Sequence, residues 1–369
     1  MGKFAILSGH YPPRCSGVGD HTCKLARELM RQGYAVGVWT AEAKPRNSDG
    51  IRISTFEYPW NLRSLGRIAW DIRRWAPDQV IIQYAPQSIA PRFLGIHPLF
   101  PLWILFLRLY LKRPVSIIVH ELHYPIEWSI RGALLGVPQA VQFLGLVLFS
   151  SHLFFTTESI WSRIFSWLPV GSNIDPIQKS FTPLEKNAFK HKQGISPEKK
   201  VLLYFGGLHP THLLGHLIAA YHLIVNEFGS ASVTLVCIGT KMPNIPRLGQ
   251  VILFEYLSEG EVSEWLLAAD LLLAPFMDGV STRRSTVMAG LAHGLPILTT
   301  LGHSSDHSIP WVSFCGVASA TDEDGYARLG VKLLLAPFRL HDLGQDGQKF
   351  FEAHFEWSIS VQSLLSQVI

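Results

Sequence analysis

A polar segment in the second half of the chain carries the residue types best suited to binding a charged ligand. It lies between a predicted strand and a predicted helix and reads Asp278-Gly279-Val280-Ser281-Thr282-Arg283-Arg284-Ser285-Thr286. Helix amino-terminal amides, hydroxyl groups and the fork of an arginine all bind phosphate oxygens. The segment predicts a phosphate or diphosphate site, with a capped helix and solvated arginines as the structural alternative. Because adjacent arginines point in different directions, we expect at most one of them to face the ligand.

A pair of glycines follows the first predicted strand. Gly17 and Gly19 allow the backbone to approach a ligand closely and to point its amides at it. They do not complete the GxGxxG dinucleotide motif, because Thr22 occupies the position of the third glycine. A strand-to-helix turn without a ligand therefore remains the alternative interpretation.

A second glycine-containing segment joins a strand to a helix further along the chain. It reads Phe205-Gly206-Gly207-Leu208-His209-Pro210-Thr211-His212. Glycines that lead into a helix amino terminus can form an anion site, to which histidines add positive charge or hydrogen bonds. We expect Gly207, His209 and His212 to contribute to such a site. No carboxylate or cysteine accompanies these histidines, which argues against a metal there.

A histidine stands at the carboxyl end of another apolar strand. His120 could donate a hydrogen bond to a sugar or act as a general acid or base, and a structural histidine is the alternative. The segment His120-Glu121-Leu122-His123 is not the HExxH zinc motif, because its histidines are three positions apart. The position of His120 after a strand favours a role in binding or catalysis.

The elements that position these segments alternate along the chain. Apolar runs typical of buried strands are separated by helical patterns, as expected for parallel strands covered on both faces. The lysine- and proline-rich segment 177–199 interrupts this alternation and predicts a linker. We therefore predict an α/β protein of two doubly wound domains, 1–176 and 200–349, that face a cleft, with an amphipathic helix over 350–369.

Length and composition limit the classes of function. A chain of 369 residues is too long for one ordinary core, which agrees with two domains. A net charge of +4 without a clustered basic stripe argues against nucleic acid and suits an anionic small substrate or an anionic membrane surface. The four scattered cysteines suggest neither a zinc ribbon nor a disulfide framework, and the amino terminus does not resemble a signal peptide. We expect a cytoplasmic enzyme.

Two apolar stretches, 93–111 and 132–157, raise the question of a membrane. Each approaches the roughly 20 residues that a membrane span requires, but turn signals interrupt both. We therefore predict a buried helix followed by a buried strand in preference to a span. Arg108, Lys112 and Arg113 suit a helix lying on an anionic leaflet, so we also expect peripheral contact with the inner face of the plasma membrane.

Several segments along the chain carry a family resemblance. They are Tyr11-Pro12-Pro13 with Ser16-Gly17-Val18-Gly19-Asp20, then residues 169–174, residues 257–296 and Phe355-Glu356-Trp357. Through these segments the chain resembles the retaining GT-B glycosyltransferases of the family 4, or group 1, type over nearly its whole length.

The resemblance implies transfer of a sugar from a nucleotide-diphosphate donor with retention at the anomeric carbon. The donor, UDP- or GDP-linked, would lie on the second domain and a glycan or lipid-linked acceptor on the first. Neither a cofactor nor an essential metal would be needed, and the last helix would cross back to the first domain. His120 matches the cleft histidine of the family, and Gly17 and Gly19 match its glycine loop. The expected role is the synthesis of a surface polysaccharide or another glycoconjugate.

The donor segment departs from the family pattern at its charged positions. Two family glutamates, eight positions apart, fall on Ser281 and Ala289, and the family's basic pair falls where this chain has His209 and His212. Our hypothesis is that Arg283 and Arg284 supply the missing charge and that Asp278 replaces the carboxylate that holds the donor sugar. We therefore expect His120 and Asp278 to be the catalytic residues. A catalytically inactive GT-B scaffold is the main alternative, and a GT-B-shaped epimerase or phosphorylase is the third.

Overall fold

The computed structural model describes residues 2–14, 16–42, 50–58, 60–91, 94–122, 132–206, 211–239, 245–246 and 248–368. The chain divides into two compact units. Unit 1 consists of Met1–Val170 and Trp357–Ile369, and unit 2 of Gly171–Glu356.

Unit 1 is built on a sheet of seven parallel strands in the order β3-β2-β1-β4-β5-β6-β7. Its central strands are buried and largely apolar because helices cover them on both sides. The strands are β1 (Lys3–Ser8), β2 (Ala35–Thr40), β3 (Arg52–Thr55), β4 (Gln79–Tyr84), β5 (Val115–Val119), β6 (His152–Phe155) and β7 (Ser166–Trp167).

In the part of unit 1 that the structure describes, the helices between these strands are α1 (Gly17–Arg31), α2 (Leu62–Trp75), α3 (Pro86–Ile89), α4 (Phe100–Leu111), α5 (Val137–Phe149) and α6 (Ile160–Ile164). A short π-helical turn, Gly132–Gly136, leads into α5. Helices α2, α4 and α5 share one hydrophobic core with the sheet, and α1 packs into a second core with other strand residues.

Unit 2 repeats the architecture with six parallel strands in the order β10-β9-β8-β11-β12-β13. Its strands are β8 (Lys200–Phe205), β9 (Val233–Ile238), β10 (Gln250–Phe254), β11 (Leu271–Ala274), β12 (Ile297–Leu301) and β13 (Gly316–Ser319). Its helices are α7 (Pro183–Lys192), α8 (Leu214–Phe228), α9 (Glu259–Ala268), α10 (Ser285–Ala292), α11 (Trp311–Phe314), α12 (Glu323–Leu335) and α13 (Pro337–His354). The prediction of two doubly wound parallel sheets is confirmed.

The strand order reverses once in each sheet, between β1 and β4 in unit 1 and between β8 and β11 in unit 2. Chain segments leave the two sides of such a point in opposite directions and open a crevice beyond the carboxyl ends of the strands. His120 directly follows β5, and Asp278 lies four residues after the end of β11. Both therefore lie at the edge where ligands bind in sheets of this kind.

The segment 177–199 does not form the linker predicted from its lysines and prolines, because α7 docks within unit 2. The Nζ atoms of Lys186 and Lys190 lie 2.7 and 3.3 Å from the two carboxylate oxygens of Asp270. Phe189 packs edge-on against Trp265. A capping box formed by Thr182 and Glu185, visible in the sequence, starts the helix.

The helix predicted over 350–369 is interrupted. Helix α13 ends at His354, and a last helix, α14 (Trp357–Val368), belongs to unit 1. The buried Phe355 packs edge-on against Phe350 in unit 2, whereas Trp357 contacts His21 in unit 1. The break therefore separates a residue anchored in one unit from a residue anchored in the other.

The two apolar stretches contain α4 and the pair α5 and β6. Over the part of the chain that the structure describes, no helix combines the length and the apolar character that crossing a membrane requires.

Candidate functional site

The carboxylate of Asp278 holds the guanidinium groups of two neighbouring arginines. Arg283 Nη2 lies 3.1 Å from Oδ2, and Arg284 Nη2 contacts Oδ1. The expectation that adjacent arginines point apart is wrong here. Arg284 precedes α10 and has a non-helical backbone (φ −80°, ψ 89°). The rotation between successive residues of a helix therefore does not separate its side chain from that of Arg283. One carboxylate against two guanidinium groups leaves a net positive charge at the cluster.

Arg284 is the more buried of the two arginines, with 12% of its side chain exposed against 37% for Arg283. Its guanidinium lies 4.3 Å from the ring centroid of Phe276, and Nη1 donates to Thr211 Oγ1 at 3.2 Å. Its Nε atom is buried without a hydrogen-bond partner. A buried unpaired donor of this kind is costly and points to a group that would accept its hydrogen bond.

The end of β8 meets the start of α10 beside this cluster. Thr286 Oγ1 donates to the carbonyl of Phe205 at 2.9 Å, and a Cβ added at Gly206 would lie 3.0 Å from the same hydroxyl oxygen. The glycine thus permits the strand end to approach the helix. The hydroxyl hydrogen of Thr286 is engaged, so a ligand here would receive hydrogen bonds from backbone amides and Ser285, which remains half-buried.

His212 reaches the same region from the segment after β8. Its Nδ1 lies 2.5 Å from the hydroxyl oxygen of Tyr204, and its ring packs edge-on against Phe276 at 5.1 Å. The backbones of His212 and Phe276 form an isolated β-bridge, which fixes the two segments to each other. Gly207 and His209, predicted to contribute, lie outside the described residues.

The segment after β12 packs against the loop that carries Asp278 and holds it in place. Gly279 adopts φ +91°, and a Cβ there would lie 2.3 Å from the amide nitrogen of Gly302. Asp306 accepts a hydrogen bond from the amide of Thr282 at 2.6 Å. Ser281, which occupies a family glutamate position, is buried in this turn. Gly279 and Ser281 therefore shape the loop, and their contacts within it are structural.

In unit 1, His120 pairs with a polar side chain of the neighbouring strand. Its Nε2 lies 2.6 Å from Gln83 Oε1, and burial lowers the pKa of His120 to about 3. Because an amide oxygen only accepts hydrogen bonds, Nε2 carries the ring hydrogen and Nδ1 the lone pair. His120 is thus a neutral imidazole, suited to accept a hydrogen bond at Nδ1.

A second histidine contacts this pair, and a third follows the neighbouring strand β1. The ring of His21 packs edge-on against His120, with centroids 4.7 Å apart, and its Nδ1 is buried without a partner. His10 bonds through Nδ1 to Ser16 Oγ at 2.9 Å, while its Nε2 lacks a partner. Burial, with a smaller contribution from Arg14, lowers the pKa of His10 to about 4. The amide nitrogen of Gln83 is also buried and unpaired, so this edge offers several polar atoms to a ligand.

The predicted glycine loop is part of a helix. Helix α1 begins at Gly17, so Gly17 and Gly19 both lie in its first turn. A Cβ at Gly19 would lie 3.2 Å from the amide nitrogen of Tyr11, whereas one at Gly17 would meet nothing within 4 Å. Gly19 is therefore needed for packing, and Gly17 is the one that faces open space.

Among the residues that the structure describes, those predicted in unit 2 lie around Asp278 and Arg284, and His120 belongs to a cluster of unit 1. Sequence reasoning missed Gln83, Thr211 and Asp306 as members of these clusters. Only Gln83 left a signal, since it is a polar residue near the carboxyl end of a strand whose centre is apolar.

Sequence comparison and structure comparison give different results. Neither a protein-family profile nor a curated protein matches the sequence. Solved structures, however, match over almost the full length. Sucrose-phosphate synthase from Thermosynechococcus elongatus superimposes with a TM-score of 0.72 at 14% identity, covering 99% of this chain and 98% of that chain.

Two further structures show the same likeness. Anabaena HepE in complex with UDP and glucose gives a TM-score of 0.73 at 10% identity over 99% of both chains. WaaG, a glycosyltransferase of lipopolysaccharide biosynthesis, gives 0.65 at 15% identity over 98% of both chains. Identities this low establish the fold and leave the activity to be argued from the site. The chain has the GT-B fold, with a Rossmann-like parallel sheet in each of its two units.

Proposed function

We propose that this protein is a glycosyltransferase that moves a sugar from a nucleotide-diphosphate donor to a glycan or lipid-linked acceptor. The observation that carries the proposal is the cluster of Arg284, Arg283 and Asp278 beyond the carboxyl end of β11. It lies on a GT-B fold, and UDP-glucose is bound by HepE, a protein of the same fold. Unit 2 would bind the donor and unit 1 the acceptor.

The arginine cluster suits a diphosphate. An incoming phosphate can accept hydrogen bonds from the unpaired Nε of Arg284 and from the amides that begin α10. The ring of Phe276 holds the Arg284 guanidinium from one side, which fixes its plane before the ligand arrives. A group that is positioned in advance loses less entropy on binding.

Asp278 has two roles in this proposal. It neutralises part of the positive charge and positions both arginines. When the diphosphate draws the guanidinium groups toward itself, the carboxylate gains free lone pairs with which to hold hydroxyl groups of the donor sugar. Asp278 would thereby take the place of the glutamate that the family 4 glycosyltransferases have at the position of Ser281.

His120 would act on the acceptor side. A neutral imidazole with its lone pair on Nδ1 can accept a hydrogen bond from a sugar hydroxyl and orient it. Gln83 holds the ring and its tautomer, and is therefore a positioning residue. We further propose retention at the anomeric carbon and a role at the cytoplasmic membrane face in glycoconjugate synthesis, which rest on the family resemblance of the sequence.

A thermal-shift screen against UDP-, GDP- and ADP-sugars tests the proposal. A ligand that binds only the native state must stabilise it, by about 2.7 kcal/mol at a hundred times its Kd. We expect one nucleotide class to raise the melting temperature of the wild type and of Arg339→Ala, an exposed arginine of α13. Arg284→Ala should lose this stabilisation. Absence of any shift across the panel would contradict donor binding.

A further inference from the structure

Helix α5 carries polar residues on its buried side and apolar residues on its exposed side. It buries Gln139 and Gln142, with 2% and 4% exposure, on the side that faces the protein. Its outward side carries Val141, Leu144 and Leu148, the last 73% exposed. A surface helix of a soluble protein normally shows the opposite arrangement. The outward side of α5 therefore suits an apolar environment better than water.

Both buried glutamines form hydrogen bonds with the loop that precedes α4, so their burial is part of the packing of this helix. Gln139 Nε2 donates to the carbonyl of Leu94 at 2.6 Å, and Gln142 Oε1 accepts from the amide of His97 at 2.6 Å. The two amides hold the loop that precedes α4. The helix thus uses its polar residues inward and presents its aliphatic residues outward.

Helix α4 runs beside α5 and continues the apolar surface. Gly145 allows close contact, since a Cβ there would lie 2.7 Å from Pro101. The exposed apolar residues of the two helices are spaced by three or four positions, which places them on one stripe of each helix. These residues, together named the α4–α5 apolar face, are Leu102, Phe106, Leu109, Val141, Leu144 and Leu148. Single exposed leucines are common, but a contiguous group marks an interaction surface.

The charges around this face select its partner. The described residues 94–120 and 132–157 contain no Asp or Glu. Arg108 and Lys112 lie at the carboxyl end of α4, and Arg108 reaches the carbonyl of Ser150 at the end of α5. Arg113 follows them and is paired with Asp78 at 3.6 Å. An apolar surface with a basic border matches an anionic lipid bilayer, where acyl chains meet negative headgroups.

An apolar cavity of about 640 Å³ adjoins the face. Its lining includes Tyr58 and Trp60, which follow β3, and Ile89, which follows β4, so it lies beyond the carboxyl ends of these strands. Leu94 and Leu99 also line it and are exposed at its rim, and Leu99 continues the stripe of α4. The cavity has the size of a small-ligand site, and few polar atoms line it.

We propose that unit 1 docks onto an anionic lipid bilayer through the α4–α5 apolar face and that the adjoining cavity takes a hydrocarbon chain of a lipid-linked acceptor. The identity of the acceptor rests on the proposed glycosyltransferase function, whereas bilayer docking does not. The cavity lies on the sheet edge that carries His120, so a lipid whose chain enters it would present its headgroup on the catalytic side of unit 1.

Flotation with liposomes tests the docking. The wild type should float with vesicles of phosphatidylcholine containing phosphatidylglycerol and bind less to pure phosphatidylcholine, by about fivefold for each basic residue engaged. Leu109→Glu combined with Leu144→Glu should abolish flotation. Leu184→Glu, at an 80% exposed leucine of α7 in unit 2, should not. Equal flotation of the double variant, or none by the wild type, would overturn the docking.

The same samples separate bilayer docking from misfolding and from self-association. All three substituted leucines are exposed, and a preserved melting temperature and nucleotide-sugar shift will show that the variants are folded. A wild-type dimer that the double substitution dissociates, without flotation, would assign the face to a second copy of the chain and overturn the proposal. Flotation without any nucleotide-sugar shift would support the docking while contradicting the proposed function.

A fluorescent polyene fatty acid tests the cavity in solution. It should bind the wild type and the Leu109→Glu, Leu144→Glu double variant alike, because both keep the cavity. Leu99→Trp, which places an indole at the rim, should weaken binding at least about tenfold, as expected when a chain is excluded from an apolar site. Equal binding by Leu99→Trp, or no binding by the wild type, would overturn this assignment of the cavity.

Discussion

The Nε2 atom of His120 lies 2.6 Å from the Oε1 atom of Gln83, across two adjacent strands of unit 1. This contact fixes the tautomer of a histidine that burial keeps neutral. It links the chemistry proposed for the acceptor side to a residue that no family motif marks.

Gln83→Glu should move the pH dependence of transfer. A carboxylate beside the imidazole favours its charged form and raises the pKa of His120, an effect of about one to three pH units for a close opposite charge. The activity profile should shift to higher pH, and the KM of the donor should stay constant. A pH–rate series on both proteins measures this, and Gln83→Leu, which adds no charge, should lower the rate without the shift. Identical profiles for Gln83→Glu and the wild type would contradict the role given to His120.

Acid should destabilise the protein through its buried histidines. Burial lowers the pKa of His120 to about 3 and that of His293 to about 4, against an unperturbed 6.5. Below pH 6.5 and down to these values, the unfolded chain binds more protons than the folded one. The free energy of unfolding therefore falls as the pH falls through this window, by about 1.4 kcal/mol per pH unit for each histidine. Guanidinium unfolding at a series of pH values measures the slope.

The matched variants for this slope are His120→Asn and His341→Asn, the latter at an exposed position of α13. The first should reduce the slope by about 1.4 kcal/mol per pH unit, because one buried titrating group is gone. The second should leave it unchanged. A slope that His120→Asn does not alter would show that the imidazole is accessible and charged near neutral pH.

Gly19 and Gly17 should respond differently to alanine. A Cβ at Gly19 would press on the Tyr11 backbone, whereas one at Gly17 would enter open space. Gly19→Ala should lower the free energy of unfolding by up to about 2 kcal/mol, because overpacking costs about 1–3 kcal/mol and the gain in helix propensity offsets about 1 kcal/mol of it. Gly17→Ala should change it by less than about 0.5 kcal/mol. Comparable losses in both variants, measured by chemical denaturation, would contradict the packing of α1 described above.

The sequence was sufficient for both sheets because parallel strands buried on two faces appear as continuous apolar runs, such as β4 and β5. It was insufficient where a residue depends on a distant partner. Lys186 and Lys190 suggest a solvated linker until Asp270, some 80 positions away, pairs with both. Gly17 and Gly19 lie within the first turn of α1 and not in a loop before it, because glycines carry no helical signal.

The candidate site was predictable in its residue types and not in its contacts. The segment from Asp278 to Thr286 was identified from the sequence, but the convergence of two arginines on one carboxylate depends on the backbone at Arg284. The support from Thr211 and Asp306 comes from loops after other strands. Such contacts follow from the sheet order, which no local pattern encodes.

Isothermal titration of the stabilising nucleotide sugar into the wild type and into Arg284→Ala tests the central claim most directly. Charge-assisted hydrogen bonds contribute about 1.5–3 kcal/mol each, so Arg284→Ala should weaken binding by about tenfold or more. Arg283→Ala should have a smaller effect because its side chain is more exposed, and Arg339→Ala should have none. Wild-type affinity in both Arg284→Ala and Arg283→Ala would contradict a diphosphate site at this cluster.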